Sequence, residues 1–447
     1  MKRTLMLFGV LLSAMFMTIP AYSVDHQLGG DLRFRVYTAA DWSGNDNNTY
    51  VKDRSRVDSR AHLDYTAKIN DDLKVYTSFR IDSVWGDDGT GGAGVGKADI
   101  KLKYSYMDFN IGQTNITIGM QDFFEARGLL LYDVAPGISI TTPMTDQFTL
   151  NVKWIRLGEG GYKAGDHVGA QAHQDMDTFA ITPTLKLNEN IKLKPYFWYV
   201  TSNEAKNADN WGLPMNGDPG IDDLDVYYLG FDFDATMGNT SAWFTALYQV
   251  GSANLLITNA NTLGSIDYSG FAVCGGGSLN IGKATLSAQF FYATGDDDEN
   301  DDKLEAFNSA EAGYYYWSEI MGLGSNDDVV PNNLAWSLTN IMGGGAGASI
   351  CASDKMTLDF SIWYAAAVED FKGAQTGQTV EAADFGTELN ASMSYSLMDN
   401  LSLSFLGAYV IAGDALTEKN VENPVVNGKP IDSANPYIVQ AQIKAKF

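Results

Sequence analysis

The chain has 447 residues, 45% hydrophobic and 12% aromatic, with a formal net charge of −25 at pH 7. So acidic a balance argues against nucleic acid and anionic lipid as binding partners. Only Cys274 and Cys351 are present, which excludes a disulfide framework, and the absence of a C-x-x-C-H pair argues against a haem-based electron-transfer role.

In chain order, Lys2 and Arg3 precede an apolar run from Leu5 to Met17, and Ala21-Tyr22-Ser23 forms a small-x-small cleavage site. Residues 1–23 therefore read as an export signal cleaved near Ser23, leaving 24–447 as a single domain two charges more negative. Beyond the signal no apolar run approaches the roughly 18 residues that a spanning helix needs. Hydropathy is blind to barrels, so the decision falls to alternation.

From Gln27 onward alternating strands are joined in turn by tight polar turns and long hydrophilic connections. Leu28, Leu32, Phe34 and Val36 alternate with Asp31, Arg33 and Arg35; Val57, Ala61, Leu63 and Tyr65 alternate with Arg56, Asp58, Arg60, His62 and Asp64. After Asn70-Asp71-Asp72 the pattern resumes with Leu73, Val75, Phe79 and Ile81 against Lys74, Tyr76, Ser78, Arg80 and Asp82. Runs of ten or more residues exceed the usual 5–6 of a soluble sandwich and suit a membrane strand. Eight short turns, near 70–72, 112–115, 143–146, 188–190, 236–239, 282–283, 352–355 and 398–400, can be placed. Longer connections lie near 38–53, 86–97, 123–136, 158–176, 201–222, 252–266, 295–334, 369–383 and 413–434. These join eighteen strands, with sixteen as the alternative, and an even number puts both termini on the side of the short turns. The last strand, Tyr437 to Phe447, sets Tyr437, Val439, Ala441, Ile443, Ala445 and Phe447 on one face and Gln440, Gln442, Lys444 and Lys446 on the other. A closing strand that ends on an aromatic, Phe447, reads as a membrane-assembly signal. The predicted fold is all-β: a transmembrane antiparallel up-and-down β-barrel with an inward-folded third loop.

Tyr104, Tyr106, Phe197, Tyr199, Tyr227, Phe231 and Tyr409 are placed for an interfacial aromatic girdle. Pro183 and Pro195 fall within strands and predict bulges. Cys274 and Cys351 fall on strands twelve and fourteen, roughly 10 Å apart at matched height, too far for a disulfide. The runs Gly275–Gly277 and Gly343–Gly345 on the same strands permit a bend, or close approach by a folded loop or another subunit.

An eighteen-stranded barrel is wide enough for a water-filled lumen, to be narrowed by loops and inward side chains. The third connection, Phe123-Phe124-Glu125-Ala126-Arg127-Gly128-Leu129-Leu130-Leu131-Tyr132, is too apolar to stand in solvent, and folding inward would bury it. Parity collects Arg33, Arg35, Arg54, Arg56, Arg60, Lys74, Arg80, Lys101 and Lys103 on one wall, with Asp31, Asp58, Asp64 and Asp82 available to pair some of them. The expected constriction sets this basic wall against an acidic element of the third loop, Asp122 or Glu125, with Glu125 or Arg127 presented to the pore, and filters solutes by charge. The acidic segment from Asp296 to Glu305 lacks the glycine and the twelfth-position carboxylate of a calcium loop and reads as a solvated external loop, with weak divalent bridging to lipopolysaccharide as the lesser alternative. No metal site, cofactor site or nucleophilic constellation is expected; His62 faces the lumen with no nameable partner.

The segments Asp53-Arg54-Ser55-Arg56-Val57 through Ser78-Phe79-Arg80-Ile81-Asp82, Ile116-Thr117-Ile118-Gly119-Met120-Gln121-Asp122, Thr294-Gly295-Asp296-Asp297-Asp298 and Tyr316-Trp317-Ser318-Glu319-Ile320-Met321-Gly322 resemble the outer-membrane homotrimeric porins of sulfate-reducing and related bacteria. Met120 departs from the basic residue that many porins carry in that strand. The resemblance implies a homotrimer of passive diffusion channels in a Gram-negative outer membrane, in contact with lipid and lipopolysaccharide and passing ions and small hydrophilic solutes. A substrate-selective channel for sugars, organic acids or peptides, and a non-conducting adhesion barrel, are the rival readings; an enzyme is not expected.

Overall fold

Period-two alternation becomes a closed wall because every strand finds two neighbours. In the computed structural model, described over residues 24–40, 54–92, 98–158, 175–202, 221–255, 264–298, 301–310, 315–322, 324, 338–375, 378–416, 425–426, 429–430 and 434–447, the strands form one antiparallel barrel of eighteen. The first nine are β1 (Asp25–Ala40), β2 (Arg54–Asn70), β3 (Leu73–Val84), β4 (Asp99–Ile111), β5 (Thr114–Glu125), β6 (Leu131–Pro143), β7 (Phe148–Gly158), β8 (Met176–Ile181, resuming at Thr184–Lys186) and β9 (Ile191–Ser202). The rest are β10 (Ile221–Met237), β11 (Thr240–Leu255), β12 (Ser265–Tyr268, resuming at Phe271–Ile281), β13 (Ala284–Ala293), β14 (Ile341–Ser353), β15 (Met356–Gln375), β16 (Gln378–Met398), β17 (Leu401–Ala412) and β18 (Tyr437–Lys446). The expected export signal at 1–23 and most of the connections after β1, β7, β9 and β17 lie outside the described residues. Among those described, no helix is long and apolar enough to cross a membrane.

Strand β1 pairs with β2 and also with β18, which removes both edges. Phe447 exchanges backbone hydrogen bonds with Gly30 at 3.0 and 3.1 Å, so the two ends of the wall are tied at the side of the short turns. The outer face exposes Phe197, Leu229, Phe231, Phe360, Ile362, Leu389, Tyr409 and Val439, an apolar surface suited to lipid. On the girdle, Phe179, Tyr199 and Tyr227 stack in series at 6.4 and 4.7 Å.

Four expectations need correction. Tyr104 and Tyr106 are not girdle residues. A register shift opposite Ser78 and Phe79 inserts one extra residue into β4, and a one-residue slip swaps faces. Lys101 before the bulge and Tyr104 and Tyr106 after it therefore share the inner face, where Tyr76 meets the two tyrosine rings at 6.1 and 5.2 Å. The prolines make no bulge: the registers of β9 with both pieces of β8 place Pro195 opposite Pro183, with no shift. The two missing donors coincide in one gap of the ladder, which interrupts β8 between Ile181 and Thr184. The connection placed near 369–383 is not a loop; β15 and β16 remain paired from Phe371↔Ala382 to Gln375↔Gln378 as a ribbon past the wall. The acidic segment is solvated only in part: Asp297, Asp298 and Asp302 are exposed, but its end is anchored. Its Leu304 is buried, and Lys303–Leu304 pairs in parallel with Asp267–Tyr268; Phe307 and Ala310 are buried just beyond it.

The glycine runs serve the wall itself. A Cβ on Gly345 would lie 2.2 Å from the Trp363 ring, and one on Gly276 would lie 2.8 Å from the Trp243 ring. Inward tryptophans on neighbouring strands lie flat over these backbones. Both cysteines are free, Cys274 buried and Cys351 exposed.

Candidate functional site

The β4–β5 ladder ends at Ser105↔Met120 and the β6–β7 ladder at Gly137↔Ile155, while β5 and β6 stay paired up to Glu125↔Leu131. Among the described residues, 121–136 thus form a hairpin whose strand ladder is with itself alone, and the predicted loop over 123–136 shrinks to a connection of 126–130. Gln121 fills the point of departure, donating to the carbonyls of Thr117 and Gly137 at 3.2 and 3.1 Å. The tip turns through a 3-10 turn, Ala126–Gly128, in which Ala126 and Arg127 hold φ of 50° and 57°. Two successive left-handed residues with side chains cost roughly 1–2 kcal/mol each, so tertiary contacts must hold them.

Those contacts come from β7, β9, β10 and β11. Glu125 is buried and accepts from Lys153 Nζ at 2.5 Å and Lys194 Nζ at 2.9 Å. Lys153 also donates to Thr182 Oγ1 at 3.1 Å. The Ala126 N–H donates to Tyr196 Oη at 3.2 Å, and Tyr196 in turn donates to Asp232. Arg127 reaches Asp234 at 2.6 Å and Thr245 Oγ1 at 3.1 Å, and its guanidinium lies 4.6 Å from the centre of the Trp243 ring. Thr245 closes the network on Asp232 at 2.6 Å. Three cations thus meet two carboxylates, Glu125 and Asp234, while Asp232 accepts from the hydroxyls of Tyr196 and Thr245, and burial of the Glu125–Lys153 pair is tolerated because both charges are matched. Leu129, Leu130 and Leu131 are buried with the tip.

Sequence reasoning grouped Asp122, Glu125 and Arg127 in one constriction loop, with Asp122 or Glu125 as the acid facing the basic wall. Strand alternation separates them: Asp122 pairs across the hairpin with Val134 on the face opposite to Glu125. Its cationic neighbour is Lys103, whereas Glu125 and Arg127 are engaged by β7 to β11. Tyr196, an inward aromatic by parity, is among these partners, while Lys153, Lys194, Asp232, Asp234 and Thr245 went unnoticed; parity puts each inward, but nothing local signals their height along the wall.

The basic residues do share the inner face of β1 to β4, at very different heights and mostly in pairs. Arg33 lies opposite Arg60, and Arg35 opposite Asp58. Arg35 is buried and grips Asp58 through Nε at 3.1 Å and a terminal nitrogen at 2.7 Å, with Tyr37 beneath at 5.1 Å. Arg60 and Arg80 both meet Asp82 at 2.6 Å. Lys74 stands by the periplasmic-type turn, 3.7 Å from Asp108, and Lys101 pairs with Asp99 at 2.8 Å. Arg54 is exposed at the other end, and Arg56 lies opposite Tyr37. His62 does have a partner, Asp31 at 3.4 Å.

A second segment covers the inner face, between β13 and β14. Asn308 is held by Gln249 and Tyr228 at 2.9 and 3.0 Å, and the Ala310 N–H donates to Leu130 of the hairpin at 3.2 Å. Residues 318–321 clasp the fully buried Glu388 of β16. Its carboxylate accepts Ser318 Oγ at 2.9 Å and the N–H groups of Glu319, Ile320 and Met321 at 2.8, 3.0 and 2.7 Å. Hairpin and strap meet through aromatic rings, Phe124 on Tyr132 at 4.9 Å and Tyr132 on Tyr316 at 5.8 Å. Among the described residues, no group of three or more histidine, cysteine or acidic side chains is placed to hold a metal.

No family model and no curated protein matches the chain. Solved structures do. OccK2 (OpdF) of Pseudomonas aeruginosa has a TM-score of 0.56 at 11% identity, covering 95% of this chain and 98% of its own. OccAB1 of Acinetobacter baumannii has a TM-score of 0.55 at 12% identity over 94% and 97%. The outer membrane protein OpdK of Pseudomonas aeruginosa has 0.54 at 11% over 94% and 99%. The chain shares their fold along nearly its whole length.

Proposed function

We propose that residues 24–447 form an outer-membrane channel for passive diffusion of ions and small hydrophilic solutes, without enzymatic activity or cofactor, exported by the signal at 1–23. The observation that carries this reading is the closure of β1 on β18 around an inner face of paired charges, with apolar side chains exposed outside. A closed wall of this kind satisfies every ladder hydrogen bond in lipid and leaves a polar interior for water. Likeness to solved outer-membrane proteins supports the location in a Gram-negative outer membrane, in contact with lipid and lipopolysaccharide. The homotrimer is carried by the sequence resemblance.

In this reading the hairpin 121–136 is an inward-folded third loop, and its Glu125–Lys153–Lys194 and Arg127–Asp234 contacts fix the constriction. Arg33, Arg56, Arg60 and Arg80 supply the charge that passing ions meet. A selective channel is the second reading, favoured by the strap at 318–321, which narrows the lumen beyond what the hairpin does. Planar-bilayer recording of the mature protein, with reversal potential under a salt gradient, separates the cases. Large steps in triplets support the trimeric diffusion channel, small steps blocked by particular solutes support the selective one, and silent insertion defeats both.

A further inference from the structure

Together with Arg33 and Arg60, the strap and the inner faces of β13 to β17 line an open cavity of about 620 Å³. That volume suits one small organic ligand. Its lining is of an unusual kind for a pore with charged walls. Hydroxyls crowd it, from Ser287, Ser318, Ser349, Ser361 and Ser392, together with the amide of Asn390. Aromatic surface is supplied by Tyr316, Trp317 and Trp363, of which Tyr316 is 41% exposed.

The charges on this lining are matched. Arg33 and Arg60 stand against Glu319 and Asp359, and both guanidiniums already have carboxylates of their own wall, Asp58 at 3.7 Å and Asp82 at 2.6 Å. An entering anion would compete with those carboxylates and meet Glu319 and Asp359 as well. A neutral ligand with many hydroxyls meets no such opposition, because each hydroxyl both donates to a carboxylate and accepts from a guanidinium or serine. The Asn390 Oδ1 is buried and accepts no hydrogen bond from the described residues, while its Nδ2 donates to Ser361 at 3.3 Å. An orphan acceptor beside five serines calls for a hydroxyl donor. Flat aromatic surface beside a hydroxyl-rich rim suits a ring with one apolar C–H face and a polar edge.

We propose that this cavity is a subsite for uncharged saccharide-class solutes, with Tyr316 and Trp363 giving the stacking surface and Asn390, Asp359 and the Arg33–Arg60 pair reading the hydroxyls. The proposal rests on the diffusion-channel reading and names the solute class that lingers there. The site is preformed, since Glu388 fixes Ser318 and Glu319 on one side and Gly345 lets Trp363 lie flat on the other.

The test uses the full mature protein folded in detergent, titrated with glucose and maltose while tryptophan fluorescence is followed, beside bilayer recordings with the same sugars. Saturable binding is expected, weakened about tenfold in Tyr316→Ala and in Asn390→Leu and only slightly in the size-conserving Trp363→Phe. No saturable sugar response in a protein that conducts ions overturns the subsite and leaves the channel standing. Saturation by benzoate with no response to sugars likewise overturns it. Saturable sugar binding in a protein that conducts nothing supports the cavity and defeats the channel reading, so the two failures are distinguishable.

Discussion

The carboxylate of Glu388, fully buried on β16, accepts the backbone N–H of Met321 at 2.7 Å, and it is the anchor by which a segment 67 residues earlier is held inside the barrel. Two further N–H groups and the Ser318 hydroxyl share the same carboxylate. Leaving a buried donor unpaired costs about 1–3 kcal/mol. Glu388→Ala is therefore expected to release the strap while the ladder, which needs none of these bonds, persists. Single-channel conductance should rise and become noisier, and protease should cut within 315–322 with the far-ultraviolet spectrum unchanged. Glu388→Gln keeps one acceptor oxygen and should fall between. Identical conductance and protection in Glu388→Ala would remove Glu388 from this role.

The hairpin tip makes an opposite use of a buried carboxylate. Glu125 is matched by two lysines, of which Lys153 is buried and Lys194 partly exposed. Removing one partner of a buried pair costs about 3–5 kcal/mol because the other charge is stranded. Glu125→Gln and Lys153→Met should each destabilise the hairpin by that order in urea unfolding. The double variant should recover much of the loss. Lys194→Ala should cost far less, since solvent screens its charge. A double variant as unstable as the sum of the single ones would show that the pairing is not what holds the tip.

Much of this wall was legible in alternation alone: eighteen strands, the eight short turns and the inward set of arginines follow from parity. What parity does not carry is height, pairing and departure from the wall. Glu125 and Asp122 sit three positions apart and so on opposite faces, yet the apolar run around them reads as one loop. One inserted residue in β4 is invisible locally and moves Tyr104 and Tyr106 from lipid to lumen. Glu388 reads as one more inward polar residue of β16, because its four donors come from a connection with no periodicity.

Among the arginines, depth of burial separates the structural from the functional. Arg35 is 2% exposed and bidentate on Asp58, so Arg35→Ala should lower stability and leave the ionic preference little changed. Arg56 and Arg60 lie on the same face and keep part of the side chain exposed, 13% for Arg60. Arg56→Glu and Arg60→Glu should move the reversal potential toward cation preference, most clearly at low salt, where the screening length grows from about 8 Å at physiological strength to roughly 30 Å at 0.01 M. Unchanged reversal potentials in both would place the selectivity elsewhere.

The segment beyond β13 carries a pH dependence of unusual sign. Burial, with Glu305 and Asp301 close by, pushes the carboxyl of Asp296 up to about 6. Unfolded, it titrates near the ordinary aspartate value of roughly 3.9. Between these limits the folded segment binds more protons than the unfolded one, so its stability falls as pH rises and is recovered on acidification. Hydrogen exchange of residues 301–310 should therefore be slower at about pH 5 than at about pH 7.5, after correction for intrinsic exchange rates. Asp296→Asn, which cannot ionise, should flatten that difference and retain the slower exchange at both values. Slower exchange at the higher pH would mean that the Asp296 carboxylate is stabilised, by a cation drawn to this acidic segment, more than its burial destabilises it.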